Sequence, residues 1–252
     1  MKKIIVLLFA FSSLIFSQEP IITDRPDVTE SAVTVPHYSL QVESGFVIRN
    51  TKDEENDVAA NFRDVSFLTT LLRYGLMENL ELRLGSEYLY QKVDIDGRSN
   101  AEGLNGLLAG AKFQLVRDNP SFPDMALLFH LNIPFGSENF KTDNIEPEIL
   151  LALSHPLSKT FSLSYNLGGA LQSSNRMIYF YSVSVAAPLS EKLGAFIELF
   201  GEIPAGNESV ENIDGGFTYL IQDNFQFDIS AGVILDQPSD NWFLSTGISF
   251  RF

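Results

Sequence analysis

The last eleven residues decide the fold: Trp242-Phe243-Leu244-Ser245-Thr246-Gly247-Ile248-Ser249-Phe250-Arg251-Phe252. Successive side chains of an extended chain point to opposite sides. Trp242, Leu244, Thr246, Ile248, Phe250 and Phe252 therefore share one face, and Phe243, Ser245, Gly247, Ser249 and Arg251 share the other. The stretch before it repeats the pattern, with Phe225, Phe227, Ile229, Ala231, Val233 and Leu235 opposite Gln226, Asp228, Ser230 and Gly232. Working back towards residue 37 gives twelve such runs, at roughly 38–49, 63–75, 79–91, 104–116, 124–135, 146–155, 160–171, 177–187, 192–202, 211–221, 224–235 and 241–252. The period is 2 throughout, and no stretch beyond residue 17 carries a helical period.

Two all-β architectures accommodate many alternating strands. A soluble sandwich or lipocalin-like barrel turns its apolar face inward, whereas a membrane barrel turns it towards lipid and keeps the polar face in the lumen. Four features favour the membrane barrel. The runs approach the ~9–11 residues that a tilted strand needs to cross a bilayer. The polar register holds Glu43, Glu81, Arg83, Glu87, Lys112, Glu148, Glu198, Glu202, Asp214, Asp228 and Arg251, and the apolar register holds no charge. Connections after the even-numbered runs are short, whereas 50–61, 92–103, 136–145 and 203–209 read as longer polar loops. An even strand count then puts both barrel ends on the short-turn, periplasmic side. Phe252, closing an aromatic-alternating strand, resembles the signal by which the outer-membrane insertion machinery takes up its substrates.

Composition narrows the classes further. The chain has 252 residues, no Cys, 45% hydrophobic and 19% charged residues, and a net charge of −15. It is too apolar for a disordered chain. Without Cys there is no disulfide scaffold, thiolate metal site or Cys nucleophile. An excess of 32 acids over 17 bases argues against nucleic acid as a partner. Lys2-Lys3, the apolar run Ile4 to Phe16 and Ser17-Gln18 read as a cleaved signal peptide, 1–17, that exports the chain to the outer membrane of a diderm bacterium. A Pro-containing periplasmic segment follows at 18–36, and the barrel occupies 37–252.

Two motifs resemble a known family: Ile22-Thr23-Asp24-Arg25-Pro26-Asp27-Val28-Thr29-Glu30-Ser31, and Leu72-Arg73-Tyr74-Gly75-Leu76 with Asn79-Leu80-Glu81-Leu82-Arg83. Together they are similar to outer-membrane transporters grouped with the meta-pathway of phenol degradation. The resemblance implies a barrel in the outer membrane that passes a small, aromatic or otherwise hydrophobic solute.

The lumen itself sets the functional expectations. Twelve strands ~4.8 Å apart and tilted ~40° close at a backbone radius of roughly 12 Å, room for one small solute. The luminal acids and bases, with Arg73 and Arg49, either shape a mildly cation-favouring channel or simply neutralise one another. Leu108, Leu128, Leu150, Phe180, Phe196, Phe200 and Leu220 fall on the same register, as a track for an apolar solute or as packing. Phe180 and Phe196, on neighbouring strands, are the pair of interest. Tyr38, Tyr88, Tyr90, Tyr179, Tyr219 and Trp242 read as interfacial aromatics in contact with membrane lipid. Asp24, Arg25 and Asp27 either form an ordered plug, with Arg25 paired to luminal acids, or belong to a flexible tail. The acidic stretch Asp53-Glu54-Glu55-Asn56-Asp57 lacks the alternate ligand spacing of an EF-hand and reads as a solvated loop. His130 lies on the luminal register without a Ser-centred motif, and no HExxH occurs, so neither catalytic residue, metal nor cofactor is expected. A closed structural barrel and a lipid hydrolase are the alternatives to a channel.

Overall fold

The computed structural model describes residues 19–55, 58–95, 97–158, 160–206, 209–235 and 240–252. The signal-peptide assignment lies outside them. The described strands are β1 (Leu40–Glu55), β2 (Val58–Met77), β3 (Leu80–Ile95), β4 (Gly97–Val116), β5 (Asp124–Ile133) and β6 (Glu146–Pro156). They continue with β7 (Ser162–Leu171), β8 (Met177–Pro188), β9 (Leu193–Pro204), β10 (Val210–Gln222), β11 (Phe225–Ile234) and β12 (Trp242–Arg251). Each pairs antiparallel with its sequence neighbour, and β1 pairs with β12, so the sheet closes into a barrel with no open edge around its belt. Closure settles the edge problem that a sheet this long would otherwise face.

The faces are inverted relative to a soluble protein. Leu82, Leu84, Phe113, Phe129, Ile149, Phe217 and Leu244 are exposed on the outer wall, while Glu43, Arg73, Glu81, Lys112 and Asp228 are fully buried inside. This is the distribution expected when lipid, not water, surrounds the wall. β5 to β12 run 10–13 residues, enough to cross a bilayer.

β1 to β4 run 16, 20, 16 and 20 residues. The stretches 50–61 and 92–103, expected as long loops, are instead largely the upper ends of these strands, joined in two tall hairpins. Asp53–Glu55 accordingly close β1; residues 56 and 57 of the expected acidic loop lie outside the described residues. Polar residues dominate the two stretches, which is why they read as loops; above the membrane a strand no longer needs an apolar face. The four strands change register at similar height, at Leu68 in β2 with φ of 50° and around Gly106 in β4 with φ of 68°. Each bulge inserts one residue on one strand, so the inward face is even-numbered above Leu68 (Ser66, Asp64) and odd-numbered below it (Thr69, Leu71, Arg73).

Residues 19–37 are not a separate body below the barrel. From residue 19 the segment begins at the short-turn end, where Ile21 N–H bonds to Asp223 O at 2.7 Å, rises inside the wall, turns back, and leaves beside Gly75 to enter β1. At the exit a Cβ on Gly75 would strike the backbone carbonyls of Val35 and Pro36, so glycine is required for the segment to pass.

Candidate functional site

The site is the interface between the inner wall and this inserted segment. On one side, cross-strand pairing puts Arg73 of β2 opposite Arg83 of β3, and Glu81 of β3 opposite Lys112 of β4. Arg73 donates to Glu43 and to Glu81 at 2.8 Å each, and Arg83 reaches Glu81 at 3.1 Å. The wall alone thus holds three cations and two carboxylates within one buried patch, and like charges directly opposite one another repel.

The segment brings the missing anions. Asp24 lies 2.7 Å from Arg83, 3.0 Å from Lys112 and 3.1 Å from Arg73. Both Glu30 oxygens accept from one Arg83 nitrogen, Nη2, at 2.8 and 2.9 Å, while Nη1 serves Asp24. Burial opposes ionisation of Asp24, but Arg73, Lys112 and Arg83 outweigh it and hold the carboxyl well below its ordinary range. Around Glu30 burial wins over Arg83, pushing the carboxyl up to about 7.

The other side reverses the roles. Here wall acids receive the segment's backbone, whose irregular N–H groups find no strand partner and must be satisfied elsewhere. Glu198 of β9 accepts from Val28 N–H and Thr29 N–H at 2.7 Å each, and from the Thr29 hydroxyl, which also bonds Ser182. Asn166 of β7 clamps Glu30, accepting from its N–H at 2.7 Å and donating to its carbonyl at 3.1 Å. Arg25 pairs with Asp228 at 3.0 Å and donates to Ser245 at 3.1 Å. Asp27 accepts from Ser184 at 3.1 Å. Its carboxyl is pushed up to about 8, first by burial and then by Glu198. Asp214, buried, sits directly opposite Glu198 on β10.

An apolar contact completes the docking. Ala32, with no exposed surface, packs in one cluster with Ala126, Leu128, Leu150 and Ala152, and Phe180 lies against it. Leu128, Leu150 and Phe180 are thus a seat for the segment. Phe180 and Phe196 do not form a pair: Phe180 stands opposite Glu202 and Phe196 opposite Ala186, six positions apart along the wall. Cross-strand register cannot be read from a single strand. Phe180 lies over Gly168 and Phe196 over Gly216, each filling space a Cβ would take. Phe200 meets Phe243 with ring centroids 6.4 Å apart, near the long-loop end.

The remaining candidates are spread along the wall. Glu87 accepts from Asn105 at 2.6 Å and lines a cavity above the segment. His130 Nδ1 is 2.8 Å from Glu148. Glu202 is exposed beside the long loops. Arg251 donates to the Glu19 carbonyl at 2.6 Å, where the segment begins. Among the described residues no group of His, Asp and Glu has the geometry to hold a metal ion. Gln41, Gln114 and Asn166 also bind the segment, through Ile22 O, Ala32 O with Thr34 N–H, and Glu30 respectively. Their position on the luminal register is legible, but an uncharged amide carries no sign of what it faces.

The family described as "Putative MetA-pathway of phenol degradation" matches residues 23–252, from within the segment to the last residue. No curated protein matches significantly. Among solved structures, an outer-membrane channel of Pseudomonas putida F1 aligns with a TM-score of 0.67 at 13% identity, covering 88% of this chain and 98% of that one. The translocator domain of the autotransporter NalP from Neisseria meningitidis gives 0.58 at 13% identity, covering 85% and 88%. The KdgM porin gives 0.54 at 12% identity, covering 84% and 99%. At these identities the likeness establishes the barrel fold.

Proposed function

Taking as premise that the chain belongs to this phenol-degradation family of barrels, we propose that it is a passive outer-membrane channel for a small solute, closed by its own residues 19–37. The observation that carries the reading is how the lumen is filled. It is stopped by a separate segment, held through Asp24, Arg25, Glu30 and backbone hydrogen bonds, and not by side chains of the wall meeting one another. A stopper held by polar contacts, the seat of Ala32 and the buried side chains of Ile21 and Val35 can leave without unfolding the wall, whose ladders are complete without it.

The family's description suggests an aromatic or other hydrophobic cargo. A cavity of about 340 Å³ above the segment supports this, since Leu71, Leu107 and Leu108 line it together with Glu87, Asn105 and Asn132. Such a lining suits a small ring bearing one polar group. Phe252, just past the end of β12, is the feature that the outer-membrane insertion machinery would read.

Proteoliposome swelling tests the proposal. Vesicles carrying the refolded chain should swell in small solutes and not in large ones, and Asp24→Asn should swell faster. A folded, heat-modifiable barrel that admits no solute in either form would overturn it in favour of a closed structural barrel.

A further inference from the structure

Two of the cavities along the lumen have linings that share a single residue. The upper one, about 340 Å³, runs from Asp24 and Glu43 to Ser86, Glu87 and Asn105 at the height of the bulges. The lower one, about 360 Å³, runs from Pro26 and Asp27 past Phe196 to Glu191 and Lys192 in the turn between β8 and β9, at the short-turn mouth. Arg25 lines both. We infer that the Arg25 side chain is the partition of the channel: within the docked segment, it is this guanidinium that separates the upper cavity from the cavity at the short-turn mouth.

The wall is shaped to receive it. Gly45 of β1 and Gly247 of β12 are direct cross-strand partners, and a Cβ on either would lie 2.5 Å from guanidinium atoms of Arg25. The two glycines form a slot in which the guanidinium lies flat on the sheet. Asp228 holds its far end at 3.0 Å, with Ser245 at 3.1 Å and Thr69 at 3.5 Å. Three strands and the bulge of β2 thus converge on one side chain. Arg25 is one docking contact among several, and the others do not depend on it. Asp24 and Glu30 carry the ion pairs to Arg73, Arg83 and Lys112, and Ala32 carries the apolar contact. Truncating Arg25 therefore joins the two cavities while the segment stays in place. It also leaves the Asp228 carboxylate facing the path without its cation.

The inference rests on the channel reading, and its test separates the two. The chain has no Cys, so Ala32→Cys gives a unique thiol that a water-soluble maleimide reaches only when the segment undocks. In this background, Arg25→Ala and Arg25→Gln are recorded in planar bilayers under a KCl gradient beside the parent and Asp24→Asn. The expected result is a several-fold larger mean current for both Arg25 variants, a reversal potential moved towards K⁺, and a thiol as slow to label as the parent's. Arg25 variants that conduct like the parent overturn the inference, as do Arg25 variants that conduct only once the thiol becomes reactive. If Asp24→Asn conducts and the Arg25 variants do not, the channel stands and the partition falls. If no folded variant conducts, both fall.

Discussion

Asp24 Oδ2 lies 2.7 Å from an Arg83 guanidinium nitrogen, and the two residues belong to the two motifs that stand apart in the sequence. Arg73, Glu81 and Arg83 of the second motif form the socket, Asp24 and Glu30 of the first form the insert, and Gly75 lets the chain out. The two motifs are halves of one buried network.

Loss of the Asp24 charge should be the most damaging single change to docking. Asp24→Asn leaves Arg73, Arg83 and Lys112 with one anion fewer in a buried patch. Breaking a buried pair from one side costs ~3–5 kcal/mol. Labelling of the thiol introduced by Ala32→Cys should accelerate by orders of magnitude, while the heat-modifiable shift of the barrel persists. Unchanged labelling would show that Asp24 does not hold the segment.

Gly75→Ala should unseat the exit. The new Cβ meets two backbone carbonyls, which cannot rotate away as a side chain would. Overpacking of this kind costs ~1–3 kcal/mol. Faster thiol labelling is expected, smaller than for Asp24→Asn, and Gly85→Ala, whose added Cβ would meet only ordinary contacts at 3.5–3.6 Å, serves as the comparison.

Docking should loosen as pH rises. Asp27 is pushed up to about 8 when docked, against an ordinary 3.8, by burial and by Glu198. A raised value means docking favours the protonated carboxyl. The contribution is fully present below the ordinary value, declines as pH rises, and is gone once pH passes the docked value. Asp24 has the opposite sign and weakens docking only in strong acid. Open probability should therefore climb between about pH 5 and about pH 8. Asp27→Asn, neutral throughout, should flatten that rise; a pH profile unaltered in the variant would remove Asp27 from the account.

Much of this architecture is legible in the sequence. Strict alternation locates the wall and its two faces, because lipid tolerates no charge on one of them. Asp24, Arg25 and Asp27 stand out as a spaced charge motif. What is not legible follows from long-range geometry. Leu68 and Gly106 leave no pattern before the strands pair, so the tall hairpins of β1 to β4 read as polar loops. Leu128, Leu150 and Phe180 look like a track for an apolar solute because the residue they receive, Ala32, lies in a segment with no apolar period. Phe180 and Phe196 look adjacent because neighbouring strands do not reveal their stagger.

The most direct test of the closed channel is to trap the segment outside the lumen. The Ala32→Cys variant in a planar bilayer is exposed to a bulky, water-soluble thiol reagent from the short-turn side while single channels are recorded. Brief openings before the reagent and lasting open channels after it are the expected result, since the modified side chain no longer fits against Ala126 and Leu150. Complete modification of the introduced thiol with no change in current would contradict the account.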